Sequence, residues 1–333
     1  MYFMGRGTGK WILLRIVMIF VILHQATVSL AQRRFKVNFM PYSSVSAGAG
    51  TSTYFGDLAG YSLPIKTLTT LPRWNVGVGY TRQMTPHFAI GTTFTWVRIV
   101  GDDYTYSKND PTRFEAQYVR NLHFRNDIKE VAVKGIYNFV EDGRNPNFRA
   151  AFTPYLFAGL AFVVHNPEAR TPTTTNGNNG NFEAREWVKL QLLHTEGQGN
   201  AGYDKPYSLV TLAIPVGLGM RYRLNQKLNV GFEVGFRLTL TNYLDDVAGT
   251  YPKQDVLTGL SPIMSDRRFE YDAARANTNR YTAAQQILQN NPALFTTENR
   301  GSNGLHKDGY LLTNLSVHYI IPAQIKCPPF LRR

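Results

Sequence analysis

Leu228-Asn229-Val230-Gly231-Phe232-Glu233-Val234-Gly235-Phe236-Arg237-Leu238-Thr239-Leu240 puts a large apolar side chain at every even position and a small or polar one at every odd position. Successive side chains of a β-strand point to opposite faces, so one surface is apolar and the other carries Asn229, Glu233 and Arg237. Strands of soluble sandwiches are usually about half this long, whereas a strand of about ten residues crosses a bilayer at a tilt. The stretch predicts a membrane-crossing strand.

The same alternation recurs along the chain and predicts eight strands: Val45–Phe55, Arg73–Gln83, His87–Val100, Asp127–Val140, Phe152–His165, Tyr207–Leu224, Leu228–Leu240 and Tyr310–Ile321. In the second, Trp74, Val76, Val78 and Tyr80 share a face. In the sixth, Leu212, Ile214, Val216, Leu218, Met220 and Tyr222 point outward and Gly217, Gly219, Arg221 and Arg223 inward. Glycine on the inner face suits a narrow lumen. The fifth strand, with Leu156, Phe157, Leu160, Phe162 and Val163, is apolar on both faces, which fits a capped or packed lumen. Connections alternate between short ones, such as Met84-Thr85-Pro86 and Asn225-Gln226-Lys227, and long polar ones ending with Thr241 to Gly309. That asymmetry is the mark of a transmembrane barrel, whose short turns are periplasmic and long loops extracellular. An even strand count puts both termini on the periplasmic side. Thr171 to Asn181 is low-complexity, and Asn279–Gln289 fits a short helix inside the last loop.

Residues 1–31 read as a cleaved export signal: Arg6 and Lys10 precede the apolar run Trp11 to Leu23, and Ser29-Leu30-Ala31 supplies a small-x-small cleavage site. Residues 32–333 then form one domain, the barrel. The expected location is the outer membrane. Gly5-Arg6-Gly7-Thr8-Gly9-Lys10 imitates a phosphate loop, but Met4 replaces its first glycine and Trp11 its Ser/Thr. The single cysteine, Cys327, excludes an internal disulfide and leaves only an intermolecular one or a neutral tail residue.

The formal charge is +13, and the three cations of the signal account for part of it. Most of the remaining excess falls at the predicted periplasmic end, where Arg33, Arg34, Lys36, Arg82, Arg144, Arg149, Arg332 and Arg333 form a candidate docking surface opposed by Glu141 and Asp142. Contact with phospholipid phosphates of the adjacent leaflet is the plainer use of such a surface. Docking of a periplasmic partner, steered by charge, is the functional one. A nucleic-acid partner is excluded for an exported barrel without a basic stripe interleaved with aromatics.

Catalytic signatures are absent: there is no H-E-x-x-H, G-x-S-x-G or C-x-x-C, and the seven histidines are scattered. Neither His165 nor His194 has a Ser and a carboxylate at a familiar spacing, so a lipid-modifying enzyme is the weakest class and neither cofactor nor metal is expected. Arg221, Arg223, Glu233 and Arg237 share the inner face and are expected to form a lumenal ion-pair network. Asp102-Asp103 and Asp245-Asp246 read as solvated loop-start carboxylates, with cation binding as the sharper alternative.

Two stretches carry a family resemblance. Thr53-Tyr54-Phe55-Gly56-Asp57-Leu58 ends the first strand, and Thr241-Asn242-Tyr243-Leu244-Asp245-Asp246-Val247 follows the seventh. Together with the signal and eight strands, they resemble the PorG-like outer-membrane barrels of the type IX secretion system of Bacteroidetes. The second motif departs from the family ending, continuing Ala248-Gly249-Thr250-Tyr251. The resemblance implies a non-enzymatic accessory or anchoring role in protein transport, beside a periplasmic ring lipoprotein and its partner protein. A general surface barrel, adhesive or solute-binding through its loops, is the alternative. Tyr54 and Tyr243 are expected as interfacial aromatics, and Asp57 and Asp245 as ties on loop backbones.

Overall fold

The period-two segments pair with their neighbours in sequence order, which is the lowest-cost way to satisfy backbone groups that lipid cannot hydrogen-bond. The computed structural model describes residues 39, 41–61, 63–143, 149–173, 182–301 and 307–321. Its barrel strands are β1 (Ser43–Phe55), β2 (Arg73–Gln83), β3 (Phe88–Asp102), β4 (His123–Asn138), β5 (Phe152–Val164), β8 (Val210–Arg223), β9 (Leu228–Thr239) and β10 (Gly309–Ile321). All pair antiparallel, and β10 returns to β1 with Tyr54 opposite Tyr310, so the sheet is a closed eight-stranded barrel without an edge. The short hairpin β6 (Glu168–Arg170) and β7 (Trp187–Lys189) extends the wall beyond β4.

Outward positions form the expected apolar belt. Val76, Val78, Phe94, Leu160, Leu218, Leu315 and Val317 are exposed large hydrophobics, whereas their inward neighbours along each strand are buried or lumenal. An exposed belt of this kind needs a lipid solvent. No helix among the described residues is long and apolar enough to cross a membrane. The signal, Arg33, Arg34, Lys36, Arg144, Thr174 to Asn181, Cys327, Arg332 and Arg333 lie outside the described residues.

Strand boundaries differ in two instructive places. β4 begins at His123 rather than Asp127, because the β3–β4 ladder climbs to Asp102 opposite His123. Its inward side chains there, Phe124 and Ile128, join Leu58, Val97, Ile99, Leu122, Leu244 and Met264 in a dry core above the lumen. β8 begins only at Val210; Tyr207 has left the strand and stacks on Tyr243 at 4.5 Å.

The long loops fold. Between β1 and β2 lies α1 (Pro64–Thr70), between β3 and β4 lie α2 (Asp103–Ser107) and α3 (Glu115–Arg120), and before β10 lie α4 (Ser261–Ser265), α5 (Tyr281–Asn290) and α6 (Ala293–Thr296). The helix expected near Asn279–Gln289 is α5; its Ala284 and Ile287 pack on Tyr118, Val119 and Phe295 of neighbouring loop elements. These loops close over the barrel mouth as a cap.

Candidate functional site

The barrel interior is filled in layers. At the short-turn end Tyr42 donates a 2.6 Å hydrogen bond to Asp142, which also pairs with Arg149 at 3.6 Å. Arg221 donates to Asn138 and Arg223 to the Arg149 carbonyl. Arg149 was expected on an exposed docking surface. Instead it is buried inside this plug, because Asp142 and the Gln226 carbonyl in the β8–β9 turn offer its guanidinium partners. Of the other expected docking residues only Arg82 is described, and it is exposed.

Next come the aromatic rings of β5. A Cβ on Gly219 would stand 2.3 Å from the Tyr155 ring, and one on Gly217 or Gly235 would stand 2.6 Å from the Phe157 ring. Glycine at these positions is what admits the rings, which resolves the doubly apolar fifth strand. Above them, Lys134 reaches Glu233 at 2.8 Å, and Arg237 pairs with Glu130 at 3.4 Å, which also accepts 2.6 Å from Tyr310. Of the four residues of the expected lumenal network, Glu233 and Arg237 form ion pairs, but not with each other, while Arg221 and Arg223 form none among the described residues and bond neutral acceptors in the plug below. Glu233 does not bond Arg237, since four residues along a strand span about 13 Å. Each finds its partner on β4, across the lumen. Between these groups a cavity of about 70 Å³ remains, lined by Asn75, Thr95, Lys134, Glu233 and Asn314 among others.

At the long-loop end the two motifs meet. Tyr54 donates to Asp245 at 2.6 Å and lies 3.0 Å from Asp308. The other Asp308 oxygen accepts from the Leu244 amide at 2.9 Å. Burial, reinforced by Asp57 and, for Asp245, also by Asp308, holds the Asp245 and Asp308 carboxyls well above the usual range. Asp246 accepts from Thr195 at 2.5 Å and Tyr207 at 2.7 Å, and faces Arg300 at 3.4 Å. Burial pushes its carboxyl up to about 6 although Arg300 opposes the shift. Arg300 also pairs with Glu196 at 3.0 Å, and Glu196 accepts the Ala248 and Gly249 amides.

Several expectations change here. Tyr54 is not an interfacial aromatic; it is 1% exposed and points into the cap. Asp245 and Asp246 are not solvated, nor are Asp102 and Asp103, which are buried against Arg275 and Arg120. Asp245 does tie a loop backbone, through the Val247 amide at 2.9 Å. Phe55 packs on Phe236, and Gly56 bridges to Ala59. His165 stacks on Tyr207, with no side-chain hydroxyl bonding its ring among the described residues. Glu130, Lys134, Glu196, Arg300 and Asp308 were missed. The first two were legible as charges at inward parity on the fourth strand; the loop residues carry no periodic signal.

Groups of three or more His, Cys, Asp or Glu able to hold a metal ion do not occur among the described residues. No family model matches the sequence, and no curated protein matches it. Solved structures with a partial likeness include Neisserial surface protein A (9% identity, TM-score 0.34, 83% of this chain and 96% of that one). Ail, the attachment invasion locus protein of Yersinia pestis, gives 7% identity and a TM-score of 0.33 over 84% of this chain and 98% of that one. A major outer membrane protein from Thermus thermophilus gives 10% and 0.37 over 85% and 100%. The fold assignment rests on the closed barrel and its belt. The chain is a transmembrane β-barrel.

Proposed function

We propose that this protein is a non-enzymatic outer-membrane barrel that acts as a sealed anchor, offering surfaces and passing nothing through its lumen. The observation that carries this is the layered fill from Tyr42 and Arg149, through Tyr155, Phe157 and the Lys134–Glu233 pair, to the Tyr54–Asp245 cap, which leaves a cavity of about 70 Å³ between its layers. Closed antiparallel barrels with an apolar belt are the spanning elements of bacterial outer membranes. Planar-bilayer recordings of the purified protein test it: no stable conductance steps are expected, and reproducible open channels would overturn the anchor.

The finer proposal is an accessory place in a type IX secretion apparatus, with the short-turn end facing the periplasm and a ring lipoprotein and its partner docked there. It is supported by the convergence of the two stretches that carry the family resemblance, whose Tyr54 and Asp245 share a 2.6 Å hydrogen bond. Burial of Arg149 moves the docking contribution to Arg82 and to the charged segments at 33–36 and 332–333. Reversal of Arg82 together with Arg33 and Arg34 should reduce co-purification of the ring with the barrel still folded, and stop secretion. The competing surface-barrel role is favoured by exposed Phe269, Tyr271 and Tyr281 on the cap. It predicts intact ring recovery in that variant, with loss of function on truncating these aromatics.

A further inference from the structure

The outer wall changes character at one height on three adjacent strands. Up β3 the outward row runs Phe94, Trp96, Arg98, and up β4 it runs Val131, Lys129, Asp127, Arg125. Trp74 of β2 closes the apolar row beside them, 5.3 Å from Trp96. Above it Arg98 holds Asp127 at 2.6 Å and Arg125 holds Glu168 at 2.6 Å. The β6–β7 hairpin continues the wall, placing Glu168 opposite Lys189 and Arg170 opposite Trp187. Trp187 carries the Arg125 guanidinium at 3.9 Å and that of Arg170 at 5.1 Å.

The patch therefore has five cations, Arg98, Arg125, Lys129, Arg170 and Lys189, against Asp127 and Glu168. Lys129 and Lys189 are exposed, and neither they nor Arg170 forms an ion pair among the described residues. The paired arginines remain partly open, with side chains 29% and 25% exposed. Directly below, exposed Phe94, Val131 and Phe162 belong to the lipid belt, and exposed Val164 stands opposite Lys129 at its edge. The height is fixed by the tryptophans, which mark the interface between hydrocarbon and headgroups.

We propose that this wall binds the phosphate groups of a phosphorylated lipid in the leaflet at the long-loop end, with its acyl chains lying on the belt beneath. Guanidinium and ammonium donors match phosphate oxygens, and Trp187 fixes two guanidiniums in place beforehand. A soluble phosphate would meet the same donors without the apolar wall. The site is independent of any secretion partner, since it lies on the lipid-facing wall near the opposite end from the short turns.

The test is native mass spectrometry of the full-length protein in detergent, titrated separately with bis-phosphorylated lipid A, the same lipid dephosphorylated, and inorganic phosphate. The key variant is the combined Lys129→Gln, Arg170→Gln and Lys189→Gln, which strands no carboxylate; Lys227→Gln at the other end is the control. Heat-modifiable gel migration verifies that each variant is folded. The bis-phosphorylated lipid should bind well above the other two probes, and the triple variant should lose on the order of a hundredfold in affinity, the control nothing. Equal binding of the dephosphorylated lipid, or unchanged affinity in the folded triple variant, would overturn the site. Inorganic phosphate binding as tightly as the lipid would overturn its assignment to a membrane ligand.

Discussion

Tyr54 and Asp245 are 191 positions apart and joined by a 2.6 Å buried hydrogen bond. The bond fastens the loop after β9 to the end of β1. Tyr54→Phe removes the donor and leaves a buried carboxyl oxygen unpaired, a loss of about 1–3 kcal/mol. The cost should appear locally. Hydrogen exchange at the amides of 244–249 should accelerate while heat-modifiable migration stays normal; unchanged exchange would show that the bond does not hold the cap.

Asp246 gives the cap a pH dependence. Its folded carboxyl titrates at about 6, above the usual carboxylate value, so the folded cap keeps a proton that the open loop releases. Cap stability is then greatest below about pH 4 and declines as pH rises to about 6, and Asp245 and Asp308 extend the decline upward. Asp246→Asn should flatten the lower part of that slope. Proteolysis rates of the cap across this range are the readout, and a wild-type cap that tightens from pH 4 to 6 contradicts the assignment.

Lys134 and Glu233 should behave as a unit. Lys134→Met alone leaves Glu233 uncompensated within the lumen and should cost roughly 3 kcal/mol, whereas Lys134→Met with Glu233→Leu should recover most of it. Urea unfolding in lipid vesicles measures the cycle. Additive losses would mean that the 2.8 Å contact is incidental.

Gly219 is a steric prediction. Gly219→Ala puts a methyl 2.3 Å from the Tyr155 ring and should destabilise by about 1–3 kcal/mol. Tyr155→Leu in the same chain should relieve it. A Gly219→Ala barrel as stable as wild type would show that the ring has room to move.

Leu218 is 63% exposed between Leu156 and Val234 on the lipid face. Arginine there should cost roughly 2–4 kcal/mol if the site is near the bilayer midplane. Normal folding in vesicles with Leu218→Arg would place this face in water.

Strands and facing were legible because period-two alternation is a local property that lipid enforces on every strand. Leu228–Leu240 shows it without help from any other segment. Partners across the lumen were not legible: Glu233 meets Lys134 through the barrel's stagger, which no single strand encodes. The cap was the least legible part. Asp102, Asp103, Asp245 and Asp246 read as ordinary polar loop residues, and only the arrival of Arg275, Arg120, Tyr54 and Arg300 from distant segments makes their burial tolerable.

The Tyr54 latch also bears on assembly. Tyr54 lies on the first strand and Asp308 immediately before the last, where Tyr54 stands opposite Tyr310 across the seam. Contacts of such long sequence separation form late. A chain whose terminal strands have not yet met has no latch, however well its hairpins have formed. Protease resistance of the cap therefore reports completion of the barrel during biogenesis, and a stalled insertion intermediate would be recognised by its digestible loops.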